Sequence, residues 1–511
     1  MSTSFFSSDE GTERPPNSAR RYGTGQAGWT FRRDSHSVPR MTHPDPGAGS
    51  ERTDARGGQR TVRDPVWQNI RLDAAAAAIV DTSEFQRLRR VKQLGFAHLV
   101  YPGAIHTRFL HALGVHHLTG RAIEALRDRG ALEALDDEQT AAVPIVRLAA
   151  LLHDIGHYPF SHAMEELEAG AIPGHHEEMA DRFLASPAIR RVLGGVAPDA
   201  GARIGALIRG TSDHPLQGLV SGSLDLDKID YLRRDSLFCG VPYGAVDVER
   251  LLESLTLARE ADGAPLEVAV TEKGISALES LLFAKYQMFR NVYWHHAVRA
   301  ATVAFRRLIE GALEGGLLAR DELAGPTDEE LLARLAGRMA ERPGAEEPAG
   351  AHSAAPMPVL RDLLEGLTHR RLPKRALELY GDELPIDLAD WIPGRRDLVR
   401  RVEDRLAVDL GRRPGEVLVD YPSNPRMLDL RLLLVRRRGD VQRLTSSGEE
   451  GLIDLPRIGR ALHHTTRVLR VFTFGRVETV VDHGPLLELF RLSEPEAEAR
   501  LVAEAPLIGS G

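Results

Sequence analysis

The chain has 511 residues, with 65 Lys and Arg against 73 Asp and Glu and a formal net charge of −8 at pH 7. This balance argues against a surface-wide electrostatic grip on nucleic acid or on an anionic membrane. A single cysteine, Cys239, excludes internal disulfides and thiolate-rich metal sites, so any metal has to be held by His, Asp or Glu. No apolar run reaches the roughly 18 residues that span a bilayer, and the N-terminus lacks the apolar core of a signal peptide, so we expect a cytoplasmic protein without a membrane partner.

The first predicted segment is a disordered tail. Residues 1–58 are rich in Ser, Gly, Pro and Arg and show no apolar periodicity. From there the pattern is helical, and Ser83 followed three residues later by Gln86 predicts a capping box that opens a helix through about residue 95. Further helices are expected near 111–128, 137–155, 175–185, 227–238, 247–258, 273–313, 327–340, 358–367 and 395–409.

The predicted fold is mainly α, with a smaller C-terminal α+β lobe. We assign residues 59–320 to a helical catalytic core and 321–400 to a helical extension that contains an exposed low-complexity loop at 341–358. After this loop the segments GEVLVDYP, LDLRLLLV, VQRL and RVLRVFTF have the alternating, β-branched character of short strands. With a helix expected near 456–465, residues 401–511 are predicted to form the α+β lobe.

The chemistry is expected where the histidines cluster. Ten of the twenty histidines lie between positions 98 and 176. Within this stretch a helix that is apolar on nearly every face runs into the dipeptide His153-Asp154. A buried carboxylate persists in a protein when it is paired or coordinates a metal. For the dipeptide alone, a hydrogen-bonded His–Asp pair in the core is the alternative.

Two further residues favour a metal site over that alternative. His111 lies upstream in HTRFLHALGVHH and Asp227 downstream in SLDLDKIDYLRRD, which gives two imidazoles and two carboxylates. This set suits Mn, Fe(II), Zn or Ni better than Mg. Four protein ligands leave positions for water and substrate only in a five- or six-coordinate site, which favours Fe or Mn over tetrahedral Zn. The sequence therefore predicts one divalent metal per site.

Several longer motifs resemble those of a known family. The segments DTSEFQRLRRVKQLG, HTRFLHALGV, HDIGHYPFSH, HHEE and LDLDKIDYLRRD are similar to those of the HD-domain deoxynucleoside triphosphate triphosphohydrolases, especially the animal sterile-alpha-motif and HD-domain enzymes and their bacterial relatives. The resemblance covers about residues 60–500 in the same order. It implies hydrolysis of a dNTP to the deoxynucleoside and inorganic triphosphate. We expect no sterile-alpha-motif domain ahead of it, since the preceding tail is short and polar.

The resemblance also implies roles for individual residues. The metal ligands would be His111, His153, Asp154 and Asp227. His162 would donate a proton, and His157 and His176 would orient water or bind phosphate. The implied substrate-binding residues are Gln93 and Leu94 at the sugar edge, Arg108, Lys228 and Tyr231 at the triphosphate, Asp235 at the sugar 3′-hydroxyl, Lys285 near a phosphate and Tyr293 under the deoxyribose. Mg²⁺ would accompany the triphosphate. Taken alone, Tyr293 and His176 also fit packed core residues.

A second set of residues matches the family's activator site. Asp81, Gln86 and Arg89 match its guanine-reading triplet, which implies activation by GTP or dNTP and assembly into a dimer or tetramer. Arg60 and Arg63 stand where the family pattern has Lys and Asn. Without the resemblance, a solvated helix face would be the better interpretation of the triplet.

Two alternatives stay open from the sequence. An HD-domain phosphohydrolase acting on a nucleotide monophosphate or cyclic nucleotide needs the metal ligands but not the triphosphate residues. A nucleotide- or nucleic-acid-binding regulator without turnover is the second alternative. The filled ligand positions argue against the regulator, and the net charge does not favour nucleic acid as a partner.

Overall fold

A hairpin followed by a bundle of helices makes up the first part of the computed structural model. The hairpin pairs β1 (Arg60–Asp64) with β2 (Gln68–Leu72) in antiparallel register. The model describes residues 59–168, 170–222, 224–342, 356–381, 383–384, 388–422, 431–444, 462, 467–475 and 483–507. The predicted tail, residues 343–355 of the low-complexity loop and most of the helix expected near 456–465 lie outside these ranges.

The helices of the core follow the hairpin. They are α1 (Ala74–Val80), α2 (Ser83–Arg87), α3 (Arg108–Asp128), α4 (Asp137–Ala141), α5 (Val143–Leu152), α6 (Ser161–Met164), α7 (His176–Leu184), α8 (Pro187–Gly194), α9 (Ala200–Ile208), α10 (Leu226–Cys239), α11 (Val248–Ser254), α12 (Ile275–Met288) and α13 (His296–Glu314).

Helices continue into the C-terminal part and alternate there with strands. The remaining described helices are α14 (Asp328–Ala340), α15 (Met357–Thr368), α16 (Trp391–Gly394), α17 (Arg396–Asp409), α18 (His483–Leu489) and α19 (Glu494–Val502). The strands are β3 (Leu255–Ala258), β4 (Glu267–Thr271), β5 (Lys374–Tyr380), β6 (Val417–Asp420), β7 (Leu433–Val435), β8 (Val441–Arg443) and β9 (Val468–Thr473).

Helix α5 is buried along most of its length. Eight of its ten residues are buried, with Pro144 and Arg147 as the exceptions, and it packs against α3 and α9. A helix that is apolar on all faces lies in the interior of a protein. Its C-terminal end therefore delivers the following residues, His153 and Asp154, into the centre of the fold.

Two small sheets complete the molecule and confirm the predicted mainly α fold with a C-terminal α+β lobe. One sheet has the antiparallel order β5-β9-β6. The other has the order β3-β4-β7-β8, in which β4 and β7 run parallel. Because β3 and β4 come from the helical part and β7 and β8 from the C-terminal part, this sheet joins the two. Within the described residues no helix is both long and apolar enough to cross a membrane.

Several predicted helices are shorter than expected. The helix predicted through residue 95 ends at Arg87 and continues as a 3-10 turn, and its N-cap is Thr82, whose hydroxyl accepts from Phe85 N. Gln86 does not close a capping box, because its amide donates to Val80 O at 2.7 Å. The helix expected over 137–155 is interrupted at residue 142, where α5 restarts with a proline in its first turn.

Strands replace parts of other predicted helices. The helix expected over 247–258 ends at Ser254, because the β-branched and leucine residues that follow pair with β4 as β3. The helix expected over 273–313 is divided by a π-helical turn, Phe289–Tyr293. The segment 321–400, predicted as helical, contains β5, whose partner β9 lies about ninety residues further along the chain.

A buried ion network fastens the hairpin to α10. The Arg234 side chain is fully buried and donates to Asp64 Oδ2 and to Asp230 Oδ2, both at 2.8 Å. Asp64 also accepts from Val66 N and Trp67 N, so it caps the hairpin turn. A buried charge is stable only when it is paired and hydrogen-bonded, and each member of this network meets that condition.

We expect Asp64→Ala to lower the free energy of unfolding by about 3–5 kcal/mol, since it removes one partner of a buried guanidinium. Urea denaturation followed by circular dichroism measures the change. The matched control is Glu249→Ala, which breaks an exposed ion pair with Arg121 and should cost no more than about 1 kcal/mol. Equal decreases in the free energy of unfolding of the two variants would show that the buried network contributes no more to stability than an exposed ion pair.

Candidate metal centre and adjoining cavity

The four predicted metal ligands come from three elements and lie together. His111 is on α3, His153 and Asp154 directly follow α5, and Asp227 is on the first turn of α10. His111 Nε2 lies 2.8 Å from Asp227 Oδ1, and His153 Nε2 lies 3.8 Å from the same oxygen. One ligand atom from each of these three residues falls within 4.8 Å of the others.

The donor set fits a divalent cation. His153 Nδ1 donates to Ala150 O at 2.8 Å, which leaves Nε2 as the lone-pair nitrogen. This buried Nε2 has no hydrogen-bond partner among the described residues, and it faces Asp154 Oδ1 at 3.4 Å. A ring lone pair and carboxylates that face one another repel, and a cation between them relieves the repulsion.

The ring of His111 is held from behind by a carboxylate. Its Nδ1 lies 2.7 Å from Asp230 Oδ2, and Asp230 in turn accepts from Arg234 and from Trp67 Nε1. Burial lowers the pKa of His111, but the hydrogen bonds to Asp227 and Asp230 outweigh it and raise that pKa to about 10. A carboxylate on the far nitrogen is the usual device that orients a metal-binding imidazole.

Asp154 is paired on both sides. Its Oδ2 accepts from Arg108 at 2.7 Å, and its Oδ1 lies 2.9 Å from His157 Nε2. Burial raises the pKa of Asp154, but the charges of Arg108, His153 and His157 hold it well below its usual range. The guanidinium of Arg108 also donates twice to Ser161 Oγ, which fixes it at the start of α6.

His157 and His176 form a stacked pair over one carboxylate. Their ring centroids are 3.8 Å apart with planes at 17°, and their Nδ1 atoms lie 3.2 and 2.9 Å from Glu165 Oε1. Gly156 makes this stacking feasible, because a Cβ there would lie 2.1 Å from His176 O and push α7 away. Glu165 was not singled out in the sequence, although it lies three residues after His162.

A cavity of about 670 Å³ opens beside these residues. Its walls include most of the residues predicted to bind substrate or to act chemically. The predicted residues in its lining are Gln93, Leu94, Arg108, His153, Asp154, His157, His162, His176, Asp227, Tyr231, Asp235 and Tyr293.

Two predicted phosphate-binding lysines are absent from this lining. Lys228 Nζ donates to Asp225 Oδ2 at 2.6 Å and to Gly222 O at 2.9 Å, so it is held at the N-terminus of α10. Lys285 Nζ lies 5.9 Å from the centroid of the Phe289 ring. Their predicted contacts with phosphate stay predictions.

The π-helical turn between α12 and α13 places aromatic side chains in the cavity wall. Phe289 and Tyr293, at its two ends, both line the cavity. The Tyr293 hydroxyl donates to Asp235 Oδ2 at 2.6 Å, while burial raises the pKa of Tyr293 well above its ordinary value. π-Helical turns are often found at functional sites. The sequence predicted a regular helix over 273–313, and from that prediction Phe289 was not recognised as a residue of the cavity wall.

Three arginines missed by the sequence interpretation also line the cavity. Arg299 donates to Glu166 and Asp420, and Arg306 donates to Glu166 as well. Arg396 binds Glu310 and Glu403 in the same way. A signal was available for the first two, since they are seven residues apart on α13 and share a helix face.

The three residues predicted for an activator site precede α3 in the chain and do not line the cavity. Asp81 pairs with Arg60 at 2.6 Å on an exposed surface. Arg89 Nε donates to Gln86 Oε1 at 2.7 Å, and its guanidinium lies 3.6 Å from the Phe109 ring centroid. The structure thus brings Gln86 and Arg89 into contact, and the activator role stays a prediction.

The comparisons with known proteins agree with this geometry. The family model of the HD domain matches residues 108–232, and that of the HD associated region matches residues 246–449. An uncharacterized protein of Methanocaldococcus jannaschii is 30% identical over 387 residues, which cover 75% of this chain and 74% of that protein. The chain therefore belongs to the HD-domain family and carries the HD associated region. This confirms the family expected from the motifs.

The chain is also similar to one relative of named activity and to one solved crystal structure. The deoxynucleoside triphosphate triphosphohydrolase SAMHD1 homolog of Dictyostelium discoideum is 31% identical over 252 residues, which span 47% of each chain. The crystal structure of a phosphohydrolase from Bacteroides thetaiotaomicron matches with a TM-score of 0.60 and 22% identity, over 82% of this chain and all of that one. At that identity the match supports the fold alone. As an HD-domain protein the chain belongs to the metal-dependent phosphohydrolase superfamily.

We expect His153→Ala to weaken metal binding by more than the roughly 10–100-fold that follows loss of a residue that merely orients a ligand. Titration of the metal-stripped protein with Mn²⁺ by calorimetry, together with elemental analysis of the purified protein, measures the effect. His98→Ala is the matched control, since His98 belongs to the same histidine-rich stretch but its ring, in the described part of the chain, bonds to the backbone oxygen of Gly95 and to no carboxylate. Unchanged affinity in His153→Ala would remove His153 from the ligand set.

Proposed function

We propose that this protein hydrolyses deoxynucleoside triphosphates to the deoxynucleoside and inorganic triphosphate. One observation carries the proposal: a single cavity is lined by three of the four candidate metal ligands, His153, Asp154 and Asp227, by a group of three further histidines and by the Asp235–Tyr293 pair. The candidate metal ligands and the three histidines suit phosphoryl chemistry, and the Asp235–Tyr293 pair suits recognition of a sugar. Relatives that are deoxynucleoside triphosphate triphosphohydrolases, the SAMHD1 proteins, support the same substrate class.

The proposed reaction breaks the bond between the deoxyribose 5′ oxygen and the α-phosphorus. It needs an activated water, compensation of the negative triphosphate and a proton for the departing oxygen. A divalent metal held by His111, His153, Asp154 and Asp227 would supply the first need, by lowering the pKa of water and polarising the α-phosphate. Arg108, buried beside Asp154, would offset charge on the phosphates.

His162 is the proposed proton donor. Its side chain is exposed to the cavity, where desolvation by the cavity walls together with the charge of Arg108 lowers its pKa in the free protein. A bound triphosphate would bring negative charge next to this ring and favour its protonated form. His162 would therefore take up its proton as the substrate binds and release it to the 5′ oxygen. His157 and His176, both facing Glu165, would hold the attacking water or a phosphate oxygen.

The opposite part of the cavity is proposed to hold the sugar. Asp235 accepts from Tyr293 and would accept a further hydrogen bond from the 3′-hydroxyl. Gln93 and Leu94 line the neighbouring wall. The Tyr293 ring would lie under the deoxyribose, where an added 2′-hydroxyl would collide with it.

Product analysis tests the reaction. We expect the purified protein, incubated with each dNTP in Mn²⁺ or Mg²⁺ and with or without GTP, to release intact inorganic triphosphate, identified by ³¹P NMR. Pyrophosphate or orthophosphate as the first product would contradict the proposal and favour a phosphohydrolase of another specificity. The double substitution His153→Ala, Asp154→Ala should release nothing and excludes a contaminating enzyme.

The proton-donor role of His162 has a separate test. We expect His162→Ala to lower kcat for dGTP by about 10²–10⁴-fold, the usual contribution of a positioned acid or base, with metal affinity unchanged. Steady-state kinetics and Mn²⁺ titration measure the two quantities. Full activity in this variant would assign the proton to another group.

A further inference from the structure

His106 takes no part in the proposed reaction, yet it contacts two residues of the proposed sugar subsite. Its side chain is fully buried, and its Nε2 lies 2.8 Å from Asp235 Oδ1. Its backbone carbonyl accepts from Gln93 N at 3.0 Å. His106 lies behind the cavity wall, whereas Asp235 and Gln93 form part of that wall.

The hydrogen bond to Asp235 fixes the form of the His106 ring. A carboxylate only accepts hydrogen bonds, so Nε2 carries the proton and donates. Nδ1 has no hydrogen-bond partner among the described residues, and a bare nitrogen there costs less than a buried N–H without an acceptor. The ring also stacks on Phe238 with centroids 4.6 Å apart, which fixes its plane.

Asp235 is held from two sides and can receive only one kind of ligand group. Its Oδ1 is bound by His106 and its Oδ2 by the Tyr293 hydroxyl. The acceptor sites that remain on this carboxylate require a donor from the ligand, because the carboxylate has no proton to give. A sugar hydroxyl meets that requirement.

Gln93 adds a second acceptor at the same place. It is 5% exposed, and its Oε1 is buried without a hydrogen-bond partner in the described part of the chain. A buried polar atom left without a partner is costly, which points to a ligand that completes it. Since Gln93 N bonds to His106 O, the position of this amide depends on the same histidine.

We propose that His106 is a positioning residue that holds Asp235 and Gln93 as one acceptor unit, and that the preference of the proposed sugar subsite for a 3′-hydroxyl depends on this buried histidine. The inference rests on the proposed function and adds to it a residue that sets specificity without touching substrate. It also gives a role to a buried histidine that lies two residues before Arg108, the first residue of α3.

The test compares dGTP with 2′,3′-dideoxyGTP as substrates. A site built to bind a hydroxyl rejects an analogue without it by up to about 10⁴–10⁵-fold, so we expect the wild-type protein to prefer dGTP by at least about 100-fold in kcat/KM. His106→Phe keeps the stacking on Phe238 but removes the donor. It should lower this preference by about tenfold or more, by slowing dGTP while leaving dideoxyGTP nearly unchanged.

Two companion variants separate positioning from a general loss of structure. His106→Gln places an amide donor near the position of Nε2 and should restore most of the preference, whereas the shorter His106→Asn should not. His116→Phe is the matched control. His116 is another buried histidine of this region, whose Nδ1 lies 3.0 Å from Arg147 O, and it is not in the cavity lining. Its substitution should change thermal stability without changing the ratio.

The outcomes distinguish this inference from the proposed function. If wild type hydrolyses dGTP and the ratio is the same in His106→Phe or, should that variant not fold, in His106→Asn, the role of His106 is overturned and the proposed function stands. If wild type shows no preference for dGTP over dideoxyGTP, the acceptor unit itself is overturned. If wild type cleaves no dNTP, the proposed function fails and this inference fails with it.

Discussion

A buried run of alternating charges, Asp64–Arg234–Asp230–His111, is the interaction on which the rest of the site depends. Asp230 occupies the far nitrogen of His111 and is itself held by Arg234, which reaches back to the hairpin through Asp64. Removal of any member of this run would be strongly destabilising, because each one neutralises the charge of a neighbour that water cannot reach. The orientation of one candidate metal ligand is thus fixed by a strand pair more than a hundred residues away from α10 in the sequence.

The second constraint is the apolar surface of α5. This helix is stable only in the interior, so the polar residues at its end have to be satisfied there by groups from other elements. Arg108 and His157 satisfy Asp154, and Asp227 lies beside His153. Because α5 is buried, the polar residues at its end need partners inside the protein. Polar residues from α3 and α10 surround them there, and together they form the candidate metal centre.

These two constraints explain which features were predictable from the sequence. The apolar run that ends in His153-Asp154 and the later segment around Asp227 could be found because each is a local pattern, and the structure places these residues together. Pairing between distant segments carries no such local signal. Strand β5, whose partner is β9, and the sheet that joins β4 to β7 were missed for this reason.

The same reasoning bears on the two lysines. The family resemblance placed Lys228 at the triphosphate, together with Tyr231 on the same helix face, but helical spacing specifies a direction and not a partner. At the N-terminus of α10 the nearest anion is Asp225, the residue that also caps the helix, and Lys228 binds it at 2.6 Å. To reach a bound phosphate, Lys228 has to exchange that carboxylate for the ligand. Arg108 is fixed in the cavity wall by Asp154 and Ser161, so the proposed phosphate contact is assigned to this arginine rather than to Lys228.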